Sequence, residues 1–402
     1  MKRNIYITLV LLLGLLTACE KDLNIPSQVS VNAEANTTKS DIDAMVIGMY
    51  NKMLSPSRFE YLNHLYPEFL ADDINGISIQ FRQIKYTMDH SIPSDDILLN
   101  YMYYPVYETV ARCNNIIKQK NATLAQRSSA YFCRALSFLR LNDLFAGVPY
   151  IKEDYVIDTP VAPSTNDEVL ELIVEDLKYA AENAVDFDEK SRKESYSIVS
   201  KSAAKALLAR VYRLQGNIVE AGKVAEEVIS LDKFSLAKNP ASNDSEIIMQ
   251  FTGNKKDGSL VGYVFSKPSY GWNCFSASEE LTKLIKGDDT RVNTFKSLEL
   301  GEGENKKTYM VPNKYTEEQD SSIPVVRIAE MYLISAEAGN DNRLKEFQTI
   351  RKSSLSLENE RRLELCFEAG IRWEDLKLAG KENYVLPYPD NAVDANPLLK
   401  RP

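Results

Sequence analysis

Histidines, carboxylates and cysteines carry most enzyme chemistry, and in this chain their spacing argues against the common catalytic plans. His64 and His90 are the only histidines, and no HExxH, GxSxG or phosphate-cradling glycine loop occurs. Gly301-Glu302-Gly303 is too short and too acidic to hold a dinucleotide. The string Asp72-Asp73-Ile74-Asn75-Gly76 matches part of a calcium loop but lacks the downstream glutamate, so a solvated turn is expected there, with no metal. Glu360, Glu364 and Glu368 fall on one helical face beside Arg361, Arg362 and Arg372. Glu368 and Arg372 stand in the favourable i,i+4 order, which points to structural ion pairing. Cleavage of a glycosidic bond needs two carboxyl groups facing each other about 5 to 9 Å apart. Asp72 and Glu279 are the pair a hydrolase would have to bring together. No cofactor is expected.

Aromatic side chains are the stronger signal. One cluster holds Phe59, Tyr61, Tyr66, Phe81 and Tyr86, followed by Tyr101, Tyr103, Tyr104 and Tyr107; a second holds Tyr263, Phe265, Tyr270, Trp272 and Phe275. Flat rings offer stiff, amphipathic surface at low entropic cost, suited to stacking on sugars or gripping peptides. At least half of them are expected in the core. From this clustering Trp272, Tyr270 and Tyr66 are the candidate ligand-binding rings, with Asp73, Asn75 and Arg82 as polar partners able to bridge hydroxyls.

The N-terminus carries a different chemistry. Lys2 and Arg3 precede an apolar run from Ile5 to Leu16 and then Leu16-Thr17-Ala18-Cys19, the pattern of a secretory signal peptide. The run is shorter than the roughly 20 residues a membrane-spanning helix needs. A small-residue cleavage site ending in cysteine resembles the lipobox of bacterial lipoproteins, in which the Cys19 thiol is diacylated and its freed amine acylated. Several chains on one residue suffice for stable anchoring, whereas a single chain binds marginally. Residues 1–18 are therefore read as a signal peptide, and 19–38, polar and containing Pro26, as lipidated cysteine and tether. Cys113, Cys133, Cys274 and Cys366 show no CxxC spacing and read as small buried residues, disulfide pairing remaining open.

The composition is that of a globular protein, 44% hydrophobic and 26% charged. Lysine and arginine number 48 against 57 acidic residues, and removing Lys2 and Arg3 leaves 46 against 57, near −11. Nucleic acid, which wants a basic surface, is not an expected partner.

Helical periodicity dominates the elements that must position these residues. It begins at Ser40 and covers about 99–119, 124–145, 166–184, 199–215, 218–231, 325–338 and 358–378. Residues 246–252 and 263–267 are the expected short strands. Ala206-Leu207-Leu208-Ala209-Arg210-Val211-Tyr212, with Gly216, Ala221, Ala225 and Val228, matches a tetratricopeptide helix pair. Leu208, Tyr212 and Ala225 are then core residues, and weaker echoes at 130–145 and 325–339 extend the helix pairs into a solenoid-like wall. The expected fold is mainly α, an α-α superhelix with loop-rich insertions and a few short strands.

Several segments together resemble the SusD/RagB family of outer-membrane nutrient-binding lipoproteins. Tyr103-Tyr104-Pro105-Val106-Tyr107 running to Asn114-Asn115-Ile116-Ile117 is similar to its aromatic-xxx-Tyr helix. Arg134-Ala135 with Gly147-Val148-Pro149-Tyr150 resembles its Arg-Ala helix and Gly-x-Pro turn. Pro324 to Ala338 resembles its Arg-x-Ala-Glu-x-Tyr-Leu helix, and Glu360 to Leu365 with Arg372-Trp373-Glu374-Asp375-Leu376 its C-terminal hallmark. The family's usual Trp near position 103 is a Tyr, and the stretch from about Phe234 to Val325 has few long inserted loops.

The resemblance implies one SusD-like domain over 39–402, with a repeat frame at about 99–145, 166–231 and 324–379. Variable ligand-binding segments would occupy about 57–98 and 234–323. It implies a non-catalytic subunit that captures oligosaccharide, or alternatively peptide, at the cell surface and passes it to a SusC-like TonB-dependent transporter. Glu20-Lys21-Asp22 resembles the acidic signal that sends such lipoproteins to the outer leaflet. A glycan-cleaving enzyme and a purely protein-binding scaffold are the other classes left open.

Overall fold

The computed structural model describes residues 37–54, 59–145, 147–240, 244–253, 261–266, 274–301, 303, 306–315, 321–368 and 370–400. Cys19, the signal peptide and the tether lie outside the described residues. In chain order the helices are α1 (Lys39–Leu54), α2 (Phe59–Leu70), α3 (Arg82–Met88), α4 (Ile97–Lys118), α5 (Leu124–Phe145), α6 (Asn166–Asn183), α7 (Arg192–Ser195), α8 (Lys201–Leu214) and α9 (Ile218–Ile229). They continue as α10 (Val261–Ser266), α11 (Glu279–Thr282), α12 (Ile328–Glu337), α13 (Asp341–Arg351), α14 (Leu357–Leu365), α15 (Ile371–Leu378) and α16 (Asp390–Ala395). The strands are β1 (Ile74–Ser78), β2 (Ile247–Phe251), β3 (Cys274–Ala277), β4 (Phe295–Leu300), β5 (Lys307–Pro312) and β6 (Ile323–Arg327).

Each long helix packs on the next: α4 on α5, α5 on α6, α6 on α8, α8 on α9, α9 on α12, and α12 on α13 and α14. This is the helical-repeat wall expected from the periodicity. The pair α8–α9 shows how the local sequence builds it. Ser200 caps α8 by accepting the Ala203 N–H, and Asn217 caps α9 by accepting the Glu220 N–H. Gly216, at φ 73°, makes the turn between them. Leu208, Tyr212 and Ala225 are buried. The close approach falls on Gly222, where an added Cβ would sit 2.2 Å from the Ala338 Cβ, so α9 meets the end of α12 through a bare backbone. No helix among the described residues is long and apolar enough to cross a membrane.

The strands form three two-stranded antiparallel ribbons, β1–β3, β2–β6 and β4–β5. Three expectations change here. Of the expected strand at 263–267, residues 263–266 belong to helix α10, and 267 lies outside the described residues. Residues 325–327 close a strand, because Ile323, Val325 and Val326 are bulky apolar side chains buried against β2, and α12 starts only at Ile328. The expected helix over 358–378 is two helices, broken at 366–370 by positive φ at Phe367 (62°) and Gly370 (77°). The break carries Glu368 away from Arg372, whose guanidinium pairs instead with Asp72.

Candidate functional site

The sequence-predicted ligand residues separate into three groups. Tyr66 is buried, its ring 5.5 Å from Phe69 in an edge-to-face packing. Asp73 is also fully buried and accepts the Arg362 Nε–H at 2.7 Å; burial lifts its carboxyl to about 6 although Arg362 pulls the other way. Neither presents its side chain to solvent. Asn75 and Arg82 are exposed, Asn75 on β1 opposite Ser276 of β3 and Arg82 at the start of α3. Trp272 and Tyr270 lie outside the described residues.

The string at 72–76 is not a solvated turn. It enters β1, where the Asp73 carbonyl accepts the Ser278 N–H, so Asp72 and Glu279 flank the same ribbon end. Asp72 is committed to Arg372, at 2.6 and 2.8 Å, and to Arg362 at 3.4 Å. Partial burial would raise its carboxyl, but the two guanidiniums hold it below the usual carboxylate range, the opposite of the raised pKa a glycosidase acid needs. Glu279 is exposed and pairs with Lys283. Glu360, Glu364 and Glu368 do form structural ion pairs, with Arg291, with Arg351 and Arg327, and with Lys314 and Arg327 respectively. Among the described residues no cluster of His, Cys, Asp or Glu is arranged to hold a metal. Cys113, Cys133 and Cys366 are buried and form no disulfide.

The structure gathers a different set of rings. A cleft of about 490 Å³ opens between α4, the loop at 147–163 and α16. Asp96 caps α4 by accepting the Leu98 N–H, and the helix places Tyr103, Tyr104 and Tyr107 on the cleft wall. The Tyr103 ring lies 5.8 Å from Tyr104 and 4.9 Å from Tyr107. Opposite them the loop contributes Tyr155, Asp158 and Pro160.

Three hydrogen bonds hold these walls at fixed spacing. Tyr107 Oη donates to the Pro149 carbonyl at 2.8 Å, Tyr388 Oη to the Gly147 carbonyl at 2.7 Å, and Asn396 Nδ2 to the Val161 carbonyl at 2.7 Å. Burial keeps Tyr103 and Tyr104 protonated, raising both above the usual phenol value, with Asp394 adding to the effect at Tyr104. No lysine or arginine is among the described residues lining the cleft. Such a site stacks on flat faces and hydrogen-bonds hydroxyls. The tyrosine run of α4 was visible in the sequence. Tyr155 and Asp158 were not singled out, since nothing in a loop's own pattern shows that it folds back onto a helix some fifty residues earlier.

A family described as "Starch-binding associating with outer membrane", of the SusD-like group, matches residues 22–213. A curated relative, SusD-like protein P2 of Formosa agariphila, is 26% identical over 316 residues, covering 74% of this chain. Over residues 22–213 the chain is similar to the SusD-like family. The match spans 58% of that relative's own length. Solved structures agree in fold. A SusD superfamily protein of Bacteroides thetaiotaomicron is 20% identical with a TM-score of 0.76, covering 91% of this chain and 99% of that one. A laminarin-binding SusD-like protein is 20% identical with a TM-score of 0.75, covering 91% and 99%. Surface glycan-binding protein A of Bacteroides fluxus is 17% identical with a TM-score of 0.77, with the same coverage. The helical frame, similar in fold to these structures, carries the tyrosine cleft on its α4 face.

Proposed function

We propose that this SusD-like protein is a non-catalytic surface receptor that captures glycan in the tyrosine cleft and delivers it to a SusC-like TonB-dependent transporter. The observation that carries the reading is the cleft itself: tyrosine rings from α4 and from the 147–163 loop, the loop held to α4 and α16 by hydrogen bonds, with no lysine or arginine among the described lining residues. Structural relatives named for laminarin and surface-glycan binding support the ligand class. Lipidation at Cys19 would hold residues 39–402, acting as one domain, at the outer membrane through the tether.

The full chain purified in detergent, applied to an array of glycans and peptides, tests this. Glycan binding is expected, and Tyr104→Ala with Tyr155→Ala should weaken it roughly tenfold, since ring stacking contributes about 1 kcal/mol beyond burial. Binding to peptides alone, or glycan binding indifferent to both substitutions, would overturn it. Asn75→Ala with Arg82→Ala forms the second arm. Loss of binding there would move the site to the β1–β3 face.

A further inference from the structure

The polarity of the cleft narrows its ligand beyond the class "glycan", an inference that rests on the capture reading above. Among the described lining residues, the ionisable side chains are tyrosines and one carboxylate, Asp158. Asp158 sits at the lip of the cleft in the turn 156–159, closed by the Thr159 N–H to the Val156 carbonyl at 3.2 Å, and takes the third position at φ 64°. Glycine fits that position without strain, and aspartate is one of the few residues with a side chain that tolerates it. A carboxylate held in sparsely populated backbone at the mouth of an aromatic cleft is a feature that asks for a role. The turn also holds Val156 and Ile157 outward, 68% and 80% exposed, so the lip around the carboxylate is apolar. A second carboxylate, Asp394, acts on Tyr104 from the α16 side. Sulfate or uronate groups entering here would meet the Asp158 carboxylate and, among the described lining residues, no guanidinium or ammonium.

We infer that the cleft selects uncharged oligosaccharides, with Asp158 as the specificity-determining residue that accepts hydrogen bonds from sugar hydroxyls and repels acidic sugars. The cleft volume falls in the range of pockets that enclose a molecule of drug size, which suits a short run of rings rather than one monosaccharide.

The test uses the full chain in detergent and oligosaccharides of equal length: neutral hexasaccharides of glucose, mannose, galactose and xylose against hexagalacturonate and sulfated galactan fragments. A neutral member is expected to bind at least about fivefold more tightly than any acidic one, the effect of one like charge at contact distance in water. Asp158→Asn, which keeps the turn because asparagine also tolerates positive φ, should shrink that ratio. Raising the salt concentration should shrink it too, by screening. Equal or tighter binding of an acidic member that is lost on Tyr104→Ala would overturn the charge inference while leaving glycan capture standing. A ratio unchanged in Asp158→Asn would remove Asp158 from the role. A panel in which nothing binds would overturn the capture reading and this inference with it.

Discussion

Arg327 shows what the most recognisable sequence motifs of this chain do. Its guanidinium donates to Glu246 at 2.5 Å, to Glu364 at 3.1 Å and to Glu368 at 2.6 Å, all of them buried. Arg351 meets Glu246 and Glu364 from the other side at 2.7 and 2.9 Å. Burial would push the Glu364 carboxyl up, but the guanidiniums of Arg351 and Arg327 hold it far below its usual value. Arg327→Met should therefore cost about 3 to 5 kcal/mol, because three buried carboxylates lose a partner. Urea unfolding measures this, and a loss under 1 kcal/mol would mean the network relaxes or takes up water. That carboxylates beside arginines would be structural was legible in the sequence. Which arginine each would meet was not, since Glu368 finds its partner 41 residues away rather than one helical turn on.

At the scale of elements, most long helices were legible to within a few residues because of their apolar stripes, and α4, α6, α8 and α9 also carry side-chain caps; α2 and α13 were not singled out. Of the ribbon strands, β2 was anticipated at 246–252, but its pairing partner β6 was not. Short apolar runs such as 323–327 carry no periodicity that separates strand from helix, and only pairing with β2 decides. The break between α14 and α15 was equally silent, and it depends on Gly370. An added Cβ there would stand 2.2 Å from the Pro67 Cβ at φ 77°, so Gly370→Ala combines left-handed strain with overpacking against α2. A loss of about 2 kcal/mol or more is expected. Gly216→Ala, at φ 73° with nothing within 4 Å, should cost about 1 kcal/mol from backbone strain alone. Thermal melting distinguishes them, and equal shifts would show that the α2 contact yields freely.

For the whole molecule, buried ionisable groups set the pH response. Burial pushes Glu68 to about 8, only partly offset by the Gly370 N–H it accepts. The unfolded chain releases that proton near 4.5 and the folded chain holds it to about 8, so stability falls as pH rises through this window. Glu68→Gln should gain stability relative to the parent from pH 5 to 8.5, measured by urea midpoints; a difference that does not change with pH would contradict it. Burial lowers His64 to about 3, which acts in the opposite sense, with stability lost as pH falls below 6.5. The repeat frame was legible in the sequence, but the cleft needed three distant segments brought together.

One of those segments is made after the whole repeat frame. Chains leave the ribosome N-terminus first, and the cleft wall formed by α16, with Asn396 pinning the loop at Val161, comes from residues 390–399. A chain cut short after Pro389 would retain every element of the repeat frame and still lack a closed binding site. Such a fragment should melt much like the full chain yet show no glycan affinity, so that synthesis through Leu399 is itself a condition for ligand capture.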